Sequence, residues 1–233
     1  MPLARASEHA LCWLRIDGTG MAIQAAELAS AAAAEPFLRA TDVIDWTEPS
    51  VLDRARSLAA GRRDAFQISR VCFEWVRDEI QHCMDYGRDE LTCAASEVLR
   101  AGTGFCYAKS HLLAALLRAN GVAAGLCYQR LARNKAGPSF VLHGLAAIRL
   151  PELGWYRVDP RGNKPGVDAQ FTPPVEQLAF STVLPGEFLF PGIYPDPAPP
   201  VVEVLRSGVP AQSLRGRLPD PTTEEELCRT VAT

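Results

Sequence analysis

The sequence predicts an α+β fold in which helices pack on an antiparallel sheet. Three observations carry this expectation: two segments of helical periodicity in the first half of the chain, three strand-like segments directly after them, and a proline-rich remainder with no period of its own. With 233 residues the chain can form one good-sized core with additions at either end. The expected organisation is an N-terminal helical extension over 1–60, a core over 61–165 and a wrapping C-terminal segment over 166–233, together one compact domain.

Met21 to Ala34 is rich in alanine and stops before Pro36, which reads as a first helix of high propensity. A second begins after Gly61, with Asp64 as N-cap and Gln67 three residues on. Ala65, Ile68, Cys72, Phe73, Val76 and Ile80 recur on it at the spacing of a buried face. A short amphipathic segment from Ala94 to Leu99 leads through Gly102 and Gly104 into a third helix, about 105–119, ended by Asn120-Gly121. Its core face is read as Phe105, Ala108, Leu112, Leu113 and Leu116.

From Val122 the pattern changes, and 122–131, 140–150 and 155–159 read as strands, the last two joined by a tight turn at Pro151-Glu152-Leu153-Gly154. Beyond Asp159 prolines alternate with Phe171, Phe180, Phe188, Phe190 and Tyr194. Such a segment is expected to wrap the domain as ordered coil, with a weak helix at Val201 to Leu205 and a polar, mobile end at Glu224-Glu225-Glu226.

A net charge of −3 and 48% hydrophobic residues give no basic excess for binding nucleic acid or an anionic membrane. The cysteines at 12, 72, 83, 93, 106, 127 and 228 are odd in number in a chain too large to need disulfide staples. They read as reduced thiols of a cytoplasmic protein. No window approaches the roughly 20 apolar residues of a membrane span, since Arg15, Asp17, Gln24 and Glu27 interrupt the N-terminal apolar stretches. Cys72, Cys83, Cys93 and Cys127 lack zinc-ligand spacing, so no metal is expected.

The chemistry concentrates on Cys106. A thiol attacks as thiolate, and the first turn of a helix favours that anion through unpaired N–H groups and the helix dipole. Gly102 and Gly104 would let the backbone turn tightly into the helix and leave the sulfur open to substrate, and the Cys106 backbone N–H could serve as an oxyanion donor. Of the four histidines, His9 lies near an end, and His111, five positions along the same helix, faces away from Cys106. His82 can line a cleft but is not the expected base. His143 interrupts an apolar strand. Alone it would read as a buried histidine satisfied by a backbone carbonyl, but the turn at 151–154 returns Asp159 to its neighbourhood, giving a nucleophile, a base and an orienting carboxylate. Lys109 reads as an aid to the thiolate or, equally, a solvated helix-face lysine. Arg161-Gly162-Asn163 reads as a turn near the cleft mouth, and Trp75 and Trp155 as core or cleft-wall packing.

Gly104-Phe105-Cys106-Tyr107 opening a helix, the apolar run 112–122, a strand bearing His143 and Gly154-Trp155-Tyr156-Arg157-Val158-Asp159-Pro160 together resemble the transglutaminase-like superfamily over about 65–165. The resemblance implies a papain-like α+β core with Cys106 on a helix, His143 and Asp159 on neighbouring strands, and no cofactor. It implies an acyl-transfer enzyme acting on a peptide, protein or amide through a Cys106 thioester, by hydrolysis, deamidation or amine transfer. Two alternatives stay open: a non-catalytic peptide- or protein-binding domain of the same fold, and an acyltransferase using acyl-coenzyme A. Leu145 stands where many members have Trp two places after the histidine, and Tyr107 where the crosslinking members have Trp after the cysteine.

Overall fold

A computed structural model describes residues 33–133 and 139–229. Chain packing separates 1–35 from a compact unit over 36–233, and the latter holds the elements that follow. The helix expected at Met21 to Ala34, apart from its last two residues, lies outside the described residues, as do His9 and Cys12.

The elements in chain order are helices α1 (Pro49–Ala59) and α2 (Ala65–Glu79), strand β1 (Gln81–His82), helix α3 (Ala95–Ala101), strand β2 (Thr103–Gly104) and helix α4 (Cys106–Ala119). Strands β3 (Ala124–Ala132), β4 (Phe140–Leu150), β5 (Gly154–Val158) and β6 (Phe188–Leu189) follow, then helices α5 (Pro199–Leu205) and α6 (Glu224–Cys228). The main sheet runs β5-β4-β3-β6 with every neighbouring pair antiparallel, and β1 and β2 form a separate parallel pair. This is the expected α+β architecture.

Helix α2 starts as its sequence implies: the Asp64 carboxylate accepts the Gln67 N–H at 2.8 Å, and Cys72, Phe73 and Val76 are buried. Helix α4 is more deeply placed than an amphipathic reading suggests. Every residue from Cys106 to Arg118 is buried, because α1, α2 and α3 pack round it on one side and β3 and β4 on the other. A helix surrounded by partners needs no polar stripe, and α4 spends its few polar groups on neighbouring carbonyls. Arg118 donates to the carbonyls of Arg39, Ala124 and Pro195. Asn120 caps the end, donating to Leu116 and Ala55, and Gly121 takes the left-handed conformation (φ 73°) that follows such a cap.

Lys109 is neither solvated nor directed to the sulfur. It is fully buried, and its ammonium donates to the carbonyls of Arg77 and Ile80, satisfying the open end of α2. Burial first, with Arg161 adding repulsion, pushes its pKa down to about 7.

The C-terminal segment returns along the edge of the sheet. Strand β6 pairs with Gln129 and Arg130 of β3, and Tyr194 bridges to Leu126. The polar end expected to be mobile instead opens α6. Thr223 caps it, Leu227 is buried, and the Glu224 carboxylate accepts the Tyr194 hydroxyl at 2.6 Å. Trp155 packs edge-on to Phe37 in a small cluster with Cys127, Leu145 and Ala147, separate from the main core, and is no part of the cleft wall.

Tyr107 ties α4 to β4. Its hydroxyl donates to the Leu142 carbonyl at 2.5 Å, and its ring lies against Gly144, where a Cβ would meet ring carbon Cδ1 at 2.5 Å and the Tyr107 Cα at 3.1 Å. Because the tyrosine ring is itself buried and bonded, it cannot swing aside. Gly144→Ala is therefore expected to lower the unfolding free energy by about 1–3 kcal/mol through overpacking. Denaturant unfolding of the two proteins measures this, and equal midpoints would contradict it.

Candidate active site

The approach to Cys106 is built by short elements. Gly102 ends α3 in the left-handed conformation (φ 64°), and β2 then pairs in parallel with β1, setting Thr103 opposite Gln81 and Gly104 opposite His82. Gly104 sits in close packing: a Cβ there would lie 3.2 Å from both Ala108 Cβ and Thr92 Oγ1. Phe105 caps α4 with an extended backbone and no side-chain bond. The first N–H groups of a 14-residue helix are thereby left open beside the Cys106 sulfur.

His143 and Asp159 meet as the turn at 151–154 implies. Strands β4 and β5 pair Ala146 with Val158, so Asp159, one residue past β5, stands diagonal to His143 across the ladder. The His143 Nε2 lies 2.7 Å from Asp159 Oδ2. The ring also interacts with Cys106 across the same cleft, and Nδ1 is the nitrogen that Asp159 leaves free. Burial works against a charged His143. It is outweighed by the interactions with Asp159 and with Cys106, which raise the pKa to about 10. The three residues singled out in the sequence are thus brought together.

Asp159 is wholly buried, and the remaining bonds it accepts come from the backbone: the Arg161 N–H to Oδ1 at 3.1 Å and the Ala179 N–H to Oδ2 at 3.3 Å. Phe180, next to Ala179, sets its ring edge-to-face on His143 with centroids 5.0 Å apart. Its carbonyl is held at 3.1 Å by the amide of Gln129, the residue opposite His143 on β3. Sequence periodicity gave no sign of Phe180, because its approach depends on the path of an irregular segment.

A cleft of about 800 Å³ opens over these groups, with Cys106, His143, His82, Arg161, Phe180 and Leu131 among its walls. His82 belongs to it, against the ring of Phe105 at 5.2 Å. Burial, then the Arg161 charge, holds its pKa well below the ordinary histidine range, so its ring is neutral. Asp85 lies 3.8 Å from His82 Nδ1 and pairs with Arg161 at 2.8 Å and Lys164 at 2.6 Å. Arg161 therefore lines the cleft as well as following a turn. His111 points elsewhere: its Nδ1 lies 2.9 Å from the Cys93 carbonyl, and burial pushes its pKa down to about 4. Burial likewise drives the thiols of Cys72, Cys83 and Cys127 up to about 12 and that of Cys93 to about 11. Among the described residues, no three His, Cys, Asp or Glu side chains are grouped to hold a metal ion, and no helix is long and apolar enough to cross a membrane.

Residues 53–160 match the family model described as the transglutaminase-like superfamily. No curated protein matches the chain. Among solved structures, it is similar to a candidate cysteine protease from Cytophaga hutchinsonii, at 17% identity and a TM-score of 0.45 over 55% of this chain and 42% of that one. It is also similar to a candidate protease from Parabacteroides distasonis ATCC 8503, at 11% identity and a TM-score of 0.36 over 52% of this chain and 28% of that one. The chain thus spans less than half the length of either. The matched segment contains Cys106 on α4, His143 on β4 and Asp159 one residue past β5, and residues 53–160 form a domain of the transglutaminase-like superfamily.

Proposed function

We propose that the protein is a cysteine acyl-transfer enzyme, a thiol hydrolase of peptide or other amide bonds, with Cys106 as nucleophile, His143 as base and acid, and Asp159 as the group that orients His143. The observation that carries this reading is the His143 imidazole, bonded to buried Asp159 and lining the same open cleft as Cys106.

In this mechanism the Cys106 thiolate attacks the amide carbonyl, and the backbone N–H of Cys106 stabilises the oxyanion. As the tetrahedral adduct collapses, the C–N bond breaks and His143 gives its proton to the leaving amine, leaving a Cys106 thioester. Water, deprotonated by His143, then attacks the thioester carbonyl and releases the acid and the thiolate. Asp159 stays ionised throughout and stabilises the imidazolium. An amine in place of water would give transfer. The C-terminal segment contributes Phe180 to the cleft wall and leaves the cavity open, which favours catalysis over a plugged binding site. The six described cysteines, none in a disulfide, support a reducing compartment, the cytoplasm.

The test is acyl-enzyme formation with p-nitrophenyl acetate, read by peptide mass spectrometry. The wild type should carry the acetyl group on Cys106 and turn over. Cys106→Ala should keep its fold by circular dichroism and lose both. A Cys106→Ala protein that hydrolyses as fast as wild type would sink the mechanism.

Iodoacetamide at pH 7 should label Cys106 ahead of exposed Cys228 in the wild type and lose that preference in His143→Ala, whereas the four buried thiols stay unlabelled. Equal labelling of Cys106 and Cys228 in the wild type would contradict the ion pair.

A third prediction concerns pH. His143 titrates near 10 in the native protein against an ordinary 6.5, so between these values the native state holds more protons than the unfolded chain. Its contribution to stability is complete below 6.5 and declines as pH rises through 10. Lys109, lowered to about 7, has the opposite sign in the same window. The readout is therefore the difference between wild type and His143→Ala, which should shrink from pH 6.5 to 10 in urea unfolding. A constant difference would refute the raised pKa.

A further inference from the structure

The chain as a whole carries a net charge of −3, yet its cleft is lined by four cations, Arg133, Arg161, Lys164 and Arg215, against the carboxylates Asp85 and Glu187. Both carboxylates are already engaged. Asp85 takes Arg161 and Lys164. Glu187 accepts the backbone N–H groups of Ala132, Val183 and Leu184 at 2.9, 3.0 and 2.9 Å, and these bonds hold its pKa down. Neither Arg133 nor Arg215 is in an ion pair among the described residues. Both residues line the same cleft, and a guanidinium nitrogen of Arg133 donates to the backbone carbonyl of Arg215. Two cations without a carboxylate partner on one concave wall raise the local concentration of anions.

How far Arg133 lies from His143 follows from the ladder. Gln129 is opposite His143, and Arg133 lies four residues further along the chain that forms β3, roughly 13 Å at about 3.3 Å per residue. An extended peptide covers that length in about four residues. Resting on the hydrolase reading above, we infer that the cleft selects acidic peptides: Arg133 and Arg215 bind a carboxylate side chain set two to four residues from the bond that Cys106 attacks. Leu131, Val141 and Leu218, which line the same cleft, give the intervening residues an apolar wall.

The experiment uses the full chain and tetrapeptidyl chloromethyl ketones, whose methylene carbon alkylates the Cys106 thiolate as chloride leaves. Alanine fills all positions except one, which is Glu, Gln or Lys at the second, third or fourth place from the reactive group. Second-order labelling rates are read by intact mass, with iodoacetamide run in parallel. The Glu probe should outrun the Lys probe by about tenfold or more at one of these places in low salt, with Gln between them. The ratio should fall as ionic strength rises. In Arg215→Glu, an exposed position, it should invert, and Arg133→Gln should reduce it. Equal rates for Glu and Lys probes, with iodoacetamide still selecting Cys106 over Cys228, would overturn this inference and leave the catalytic reading standing. Failure of iodoacetamide to select Cys106 would overturn both.

Discussion

The contact between Tyr107 and β4 sets the position of everything else in the cleft. Cys106 belongs to a helix and His143 to a strand, and proton exchange between their side chains tolerates little sliding of one element on the other. Tyr107 removes that freedom from both sides of His143. Its hydroxyl holds the carbonyl of Leu142, and its ring fills the space above Gly144. The residue next to the sulfur is thereby fastened to the two residues flanking the imidazole. A tryptophan here could pack but has no hydroxyl to make this bond.

That fastening would achieve little without a counter-charge. A buried imidazolium is costly on its own, and so is a buried carboxylate. Here each satisfies the other at 2.7 Å, and Asp159 takes two further bonds from backbone N–H groups. One of these, from Ala179, comes from the segment after the sheet, and Phe180 beside it covers the ring. The C-terminal segment is in this sense part of the site. It excludes water from the Asp159–His143 bond and lowers the local dielectric, which strengthens the attraction that keeps the histidine protonated.

These dependencies explain what could be read in advance. Helix α2 and strands β3, β4 and β5 follow from periods of 3.6 and 2 together with local caps and turns, and local signals survive in any sequence that folds this way. Cys106, His143 and Asp159 were legible because each sits at a feature of local origin: a helix start, a polar break in an apolar strand, and the residue after a hairpin strand. Lys109 was misread because its partners, the carbonyls of Arg77 and Ile80, lie about thirty residues away in sequence, and a lysine on an apolar helix looks the same whether it meets water or a neighbouring helix end. His82 and Phe180 depend on parallel pairing of two-residue strands and on the path of irregular chain, for which no periodicity exists. Glu224 and its neighbours were taken for a loose end because Tyr194 and Thr223, which fix them, belong to that same irregular region.

The same burial that hid those partners also sorts the thiols. Cys72, Cys83, Cys93 and Cys127 are small apolar side chains in practice, for burial outweighs the arginines near Cys72, Cys93 and Cys127 and the backbone donors near Cys83, and their pKa values rise. Cys106 is also largely buried, but it lies on a cleft, at a helix start with open N–H groups, beside an imidazole that Asp159 keeps charged. Low exposure thus has opposite meanings at the two kinds of position. In the core it removes a cysteine from chemistry, whereas at the cleft it shields a sulfur from bulk water and strengthens the attraction to its partner charge. On the proposed reading, what sets Cys106 apart from these thiols is its place on the cleft beside a His143 held by Asp159.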